Sequence, residues 1–232
     1  MNDSVELVQL WEGGPYWADR NIGAENPWDS GYYFWWGDTV GYKRVNDKWV
    51  ANDGSSDDFS FAEKNTQTHL MYDSELQCDG WITKEEDGVL VPEHDAATKH
   101  WGSEWRMPTI QELYDLCNKC DWERTVVNGI SGYIVRGRGD YASESIFLPA
   151  AGYGRATSLD NVGSGGFYWS SVSGSDDFNA CLLHFNSFGC GVDGDFGYRY
   201  DGQPVRPLQG FIKKSGSLQN GFAWTNNNPE SV

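Results

Sequence analysis

Twelve Trp, 12 Tyr and 11 Phe share this 232-residue chain with 28 Gly, and that pairing most narrows what it can fold into. Wide aromatic side chains favour a pleated surface, and frequent glycines interrupt helices. The two together point to an aromatic core packed among short strands and tight turns, not to a helical bundle. The length fits one large domain, or one domain with an extension.

A second pattern concerns variation. Between Ser170 and Gly202 the chain contains no Lys, Glu, Gln, Met or Trp, although these five types make up 43 of its 232 residues. At that background a gap of this length arises by chance roughly once in a thousand windows. The five types are those that a codon ending in C cannot encode, and N-N-C codons are what adenine-directed mutagenesis of AAC codons leaves behind. The gap therefore reads as a surface written to vary. The competing reading is ordinary turn composition, since Gly, Ser, Asp and Asn dominate turns for conformational reasons.

A formal net charge of -17 excludes nucleic acid and anionic membrane surfaces as expected partners, because both require a basic footprint. No run of 18 apolar residues is present, so no transmembrane helix is expected. The start, Met1-Asn2-Asp3-Ser4, lacks the pattern of a secretory leader. Five cysteines, an odd number, argue against a complete disulfide framework.

Along the chain, short strands are expected at Val5–Leu10, Tyr16–Ile22 and Tyr32–Trp36, separated by Pro and Gly signals. From Val45 to Asp79 the pattern fades. A first helix is expected over Glu93–His100. A second starts at Thr109, where Thr109 and Glu112 form a capping box and Ile110, Leu113, Leu116 and Cys117 share one face. Strands return at Gly132–Arg136, Ser145–Leu148, Phe167–Ser171, Asn179–Phe185 and Val205–Leu208. Residues 211–232 read as a polar extension beyond a domain spanning 1–210.

Few residues carry a chemical signature. Cys117 and Cys120 form a single C-x-x-C that closes a helix, which reads as one core cysteine and one partly exposed. Cys181 and Cys190 have no ordered His or Asp beside them, and the four histidines lack metal spacing. No cofactor is expected. The sole candidate ion is calcium at Asn52–Asp58, where the ligand spacing and closing Glu of a calcium loop are missing.

Within the gap, strand alternation places Leu183, Phe185 and Ser187 on an inner face and Leu182, His184 and Asn186 on an outer one. Two flanking loops, Val172–Phe178 and Phe188–Tyr198, hold the aromatic, Asp, Ser, Gly and Asn palette of antibody paratopes. The expected ligand-binding set is Val172, Ser173, Ser175, Asp176, Asp177, Phe178, Cys181, Leu182, His184, Asn186, Phe188, Cys190, Val192, Asp193, Asp195, Phe196, Tyr198 and Asp201.

Several phrases form a resemblance. Tyr16-Trp17-Ala18-Asp19-Arg20-Asn21-Ile22-Gly23-Ala24, Gly31-Tyr32-Tyr33-Phe34-Trp35-Trp36-Gly37, Trp105-Arg106-Met107-Pro108-Thr109, Leu148-Pro149-Ala150-Ala151-Gly152-Tyr153, Tyr168-Trp169-Ser170-Ser171 and Val205-Arg206-Pro207 carry it. Together they resemble the Fibrobacter-succinogenes-type major paralogous domain. That family is similar to the formylglycine-generating-enzyme-like branch of the C-type lectin fold, and some members are variable proteins of diversity-generating retroelements. The resemblance implies an α+β domain with two short helices on an irregular, mostly antiparallel sheet. Trp17, Trp35, Trp101, Trp105 and Trp169 would be buried or half-buried.

The resemblance also implies a segment rewritten from about 166 to 206, with Tyr168–Ser171, Ala180, Leu183, Phe185, Ser187, Arg199, Gly202 and Val205–Pro207 as its fixed framework. It implies a non-enzymatic recognition protein displayed on a virion or cell surface, in several copies, against a protein or glycan ligand. Two other functions stay open: a fixed carbohydrate-binding lectin or adhesin, and an oxidoreductase using Cys181 and Cys190.

Overall fold

The computed structural model describes residues 5–84, 88–195 and 197–210. The extension expected over 211–232 and the ligand-contact residue Phe196 lie outside the described residues. In chain order the strands and helices are β1 (Leu7–Gln9), β2 (Tyr16–Ala18), β3 (Tyr42–Val45), β4 (Lys48–Ala51), α1 (Asp73–Cys78), α2 (Ala96–Trp101), β5 (Trp105–Arg106), α3 (Ile110–Lys119), β6 (Asp121–Val127), β7 (Ile130–Arg136), β8 (Ser145–Pro149), β9 (Tyr153–Arg155), β10 (Ser158–Asp160), β11 (Gly166–Ser173), β12 (Ala180–Asn186), β13 (Gly189–Asp193) and β14 (Leu208–Gln209). The domain is thus mixed α+β, with few helices.

Local chemistry sets several of these boundaries. Thr109 caps α3 by accepting from the Glu112 amide at 3.3 Å, and Glu112 accepts from the Thr109 amide at 2.9 Å. Leu113, Leu116 and Cys117 on that helix are buried, as their spacing predicts. Asp95 accepts from the Thr98 amide at 3.0 Å, so α2 begins at Ala96 and not at Glu93. Asn128 and Gly129, both at positive φ, make the two-residue turn joining β6 to β7. At Gly152, with φ +64, a Cβ would stand 2.0 Å from the Asp160 carbonyl oxygen, so only glycine fits.

The named strand pairings are antiparallel and fall into five small sheets, ordered β1-β2-β14-β5, β10-β9, β11-β12-β13, β3-β4 and β6-β7-β8. The first unites the two ends of the domain, because Leu208 in β14 pairs with both Trp17 and Arg106. Several expectations shift: three α-helices stand among the described residues where two were expected, α1 being the addition, and the Tyr16–Ile22 strand ends at Ala18. Tyr32–Trp36 forms no continuous strand but two bridges, Tyr33 to Tyr42 and Phe34 to Gln203. The Val205–Leu208 strand shrinks to Leu208–Gln209. Phe188–Tyr198, expected as a loop, contains strand β13 paired to β12.

Aromatic side chains fill three adjoining clusters. One packs Trp17, Trp122, Tyr133, Tyr168, Leu183 and Phe185 against α3. Another gathers Phe34, Trp36, Trp169, Ala180 and Leu182 against α1 and α2. The third joins Tyr33, Trp35, Tyr42, Trp49 and Phe61. Some of their polar edges are satisfied: Trp169 Nε1 donates to the Phe34 carbonyl at 2.7 Å and Tyr168 OH to the Pro149 carbonyl at 2.7 Å, whereas Trp17 and Trp49 Nε1 find no acceptor among the described residues. Trp101 and Trp105 are half-buried and meet edge to face at 4.9 Å. Both Cys117 and Cys120 are core residues, which corrects the expectation that one is partly exposed.

Candidate functional site

The β11-β12-β13 sheet shapes the site. In β12, Leu183 and Phe185 point into the first cluster as alternation requires, but Leu182 enters the second, and Ser187, expected on the inner face, lies beyond the strand end and is exposed. The strand therefore has two dry faces over Ala180–Leu183, and only His184 and Asn186 reach partial exposure. Cross-strand pairing sets Leu182 opposite Asp193, and His184 opposite both Phe167 and Gly191.

Where β12 turns wet, a cavity of about 370 Å³ opens, lined by Tyr153, Arg155, Asn161, Phe167, Leu182, His184, Asp193, Tyr198, Asp201 and Gln203. That volume lies at the small end of the ~300–1,000 Å³ of ligand pockets. Five of the ten lining residues, Leu182, His184, Asp193, Tyr198 and Asp201, belong to the set expected from the sequence.

Charge in the cavity is arranged in pairs. Arg155 donates to both Asp201 oxygens, at 2.9 and 2.7 Å, a bidentate clamp. Burial raises the pKa of Asp201, an effect countered by that hydrogen bonding, while the carboxylate holds the Arg155 guanidinium firmly protonated. The same guanidinium lies 5.1 Å from the Tyr153 ring centre and 5.5 Å from that of Tyr198. Burial lowers the pKa of His184, so its imidazole is neutral at pH 7.

Beside the cavity runs an aromatic ridge. Tyr198 stacks on Tyr200 at 5.2 Å, and His69 meets Tyr200, Phe178 and Tyr198 at 4.6, 5.7 and 6.4 Å. Phe178 and Tyr198 are exposed. Tyr153, Arg155, Asn161, Phe167, Gln203, His69 and Tyr200 were not anticipated as site residues. Tyr200 lies inside the compositional gap and could have been found there. Phe167 and Gln203 flank the gap inside the 166–206 segment, whereas His69, Tyr153, Arg155 and Asn161 belong to earlier segments with no local mark.

Much of the acidic ring serves the loops themselves. Asp176 accepts from the Phe178 and Asn179 amides, each at 2.9 Å, and so turns Phe178 outward. Asp177 accepts from the Asp73 amide at 3.1 Å, and Asp193 from the Asp195 amide at 2.6 Å. Asp195 accepts from the Ser175 hydroxyl.

Other expected contacts are inside the protein. Val172, Ser173, Cys181 and Cys190 are buried. The Cys181 thiol hydrogen-bonds the Ser173 carbonyl at 3.0 Å, and Cys190 packs in the first cluster. The first and second clusters cover both faces of β12, the middle strand, so its side chains over Ala180–Leu183 are shut in. Phe188, 77% exposed, caps the β12–β13 turn at the opposite end of β12 from Phe178. Seven residues of strand separate them, roughly 20 Å, so the two aromatics belong to different surfaces. Val192 and Asn186 are half-buried along that strand pair.

The framework residues are anchored differently. Arg199 is fully buried; it donates to the carbonyls of Asn179 (3.0 Å) and Met71 (2.9 Å), pairs with Asp73, and lies 5.0 Å from the Trp36 ring centre. Arg206 donates to Asn21 Oδ1 and the Phe147 carbonyl, each at 2.8 Å, and burial lowers its pKa to about 10.

No group of three or more His, Cys, Asp or Glu able to hold a metal occurs among the described residues. In the loop proposed for calcium, Asp53 accepts from the Ser55 amide at 2.9 Å and Asp58 pairs with Lys48 at 3.3 Å. No helix among the described residues is long and apolar enough to cross a membrane.

The domain is α+β with mostly antiparallel sheets, and the cavity beside the aromatic ridge is a small, aromatic-walled recess. Against known proteins, the chain matches no family model, no curated protein and no solved structure.

Proposed function

We propose that this is a recognition protein of C-type lectin type whose binding surface is diversified by a retroelement and displayed on a virion or cell surface. One observation carries the reading. Residues of the compositional gap supply half of the cavity lining, while the residues proposed as fixed are buried, Trp169, Leu183, Phe185, Arg199 and Arg206 fully so, with Ser187 the exposed exception. A surface that varies must be wet, and the frame that holds it must not depend on what varies. The ligand is a protein or glycan on a cell surface, and copies in an array would raise weak single-site affinity by effective concentration. Cys181 and Cys190, buried and packed, give no support to cysteine oxidation chemistry.

The test is the native DNA covering codons 160–210 with its flanks. The expected result is codons ending in C at His184, Asn186, Asp193, Tyr198 and Asp201. A near-repeat carrying AAC at those codons should lie beside a reverse-transcriptase gene. Mixed third bases without a repeat would overturn diversification and leave a fixed lectin-like binding module.

A further inference from the structure

We infer that the cavity receives the positively charged end of a ligand side chain, a lysine ammonium or arginine guanidinium carried on an apolar stem. The inference rests on the proposed reading of this cavity as the recognition site and names the chemistry it selects.

Three observations carry it. The first is an unbalanced charge. Arg155 and Asp201 neutralise each other through two hydrogen bonds, and the cavity's other carboxylate is Asp193, 7% exposed. One Asp193 oxygen accepts from the Asp195 amide, and among the described residues no ion pair within 4.0 Å serves this carboxylate. The second is an unmet acceptor. Gln203 lines the same cavity at 2% exposure, and its Oε1 has no hydrogen-bond partner among the described residues. A ligand donor would pair it, and native proteins seldom leave buried acceptors unpaired. The third is the wall. Tyr153, Phe167 and Tyr198 line the cavity with apolar surface suited to methylenes, while Arg155 already lies over the Tyr153 and Tyr198 rings.

The alternatives fit less well. A neutral polyol could satisfy Gln203, but it would leave the Asp193 charge uncompensated in a shielded site. An anion would face Asp193 and a chain of net charge -17, with Arg155 already clamped. The same net charge draws cations in from a distance. His184, neutral at pH 7, adds no repulsion.

The experiment is amide-shift titration by nuclear magnetic resonance of the full chain, with four probes. These are Nα-acetyl-lysine methylamide, its arginine and norleucine counterparts, and methyl α-mannoside. At least one cationic probe is expected to shift the Gly191, Asp193 and Gln203 amides saturably, and more weakly as salt rises. The norleucine probe, with the lysine stem but no charge, should bind at least about tenfold more weakly, the ratio that ~1.4 kcal/mol represents. Asp193→Asn should lower cation affinity about fivefold or more, by Coulombic loss in a partly shielded site. Asparagine keeps an acceptor for the Asp195 amide, and an unchanged melting temperature shows that the loop survives. Equal binding of norleucine or stronger binding of the mannoside at these amides overturns the cation class while leaving the recognition site in place. No shift there with any probe overturns both.

Discussion

Replacing Arg199 with Met should cost this domain about 3 kcal/mol, and the structure supplies the arithmetic. The guanidinium bonds the Asn179 and Met71 carbonyls at 3.0 and 2.9 Å, reaches Thr68 O at 3.4 Å, and pairs with Asp73. Breaking a buried ion pair costs ~3–5 kcal/mol, and each stranded acceptor ~1–3 kcal/mol. The Asp73 side chain is 34% exposed and keeps the Ser173 hydroxyl at 2.8 Å, so the pair itself contributes only about 1 kcal/mol, and the Asn179 and Met71 carbonyls, stranded at about 1 kcal/mol each, bring the loss to about 3 kcal/mol. Methionine keeps the contact over Trp36. On a total stability of ~5–15 kcal/mol, the loss would lower the melting temperature by about 10 °C. Phe188→Ser, at 77% exposure on the β12–β13 turn, should stay within about 0.5 kcal/mol of the parent. Urea titration followed by tryptophan fluorescence, with calorimetry, measures both. A cost below about 1 kcal/mol for Arg199→Met, or equal costs for the two variants, would refute the division between an anchored frame and a permissive surface.

Two further outcomes test other parts of the reasoning. Asp38 is buried, accepting from the Val40 and Gly41 amides, and burial raises its pKa from 3.8 to about 6. Its protonated form is the one the fold favours, so its contribution is complete below pH 3.8 and is lost as pH rises through 6, a change on the order of 3 kcal/mol. Asp38→Asn should therefore gain on the parent protein by roughly that amount between pH 4 and pH 7 in chemical denaturation; parallel curves would contradict it. Cys78 is exposed whereas Cys117, Cys120, Cys181 and Cys190 are buried, and burial pushes the Cys120 and Cys181 thiols up to about 12. A disulfide reagent should read one fast thiol in the native protein and five in denaturant; two or more fast native thiols would place a second cysteine at the surface.

The sequence alone determined features whose cause lies within a few residues. The Thr109–Glu112 box placed α3, and the aromatic and glycine content foretold a core of rings among short antiparallel strands. The compositional gap led to His184, Asp193, Tyr198 and Asp201 without any view of the cavity. Tertiary structure alone decided which side chains of the gap are wet. Alternation presumes one dry face, but β12 lies between two clusters, so Leu182 is buried opposite Leu183 and Cys181 is drawn inside. Asp176 and Asp195, attractive as ligand contacts by composition, are spent on their own loops. Tyr153, Arg155, Phe167 and Gln203 reach the cavity from other strands and loops, and Arg199 crosses to α1, over 100 residues away in the chain. Contacts between distant segments leave no local periodicity or motif, because they are chosen by packing that exists only once the sheets have assembled.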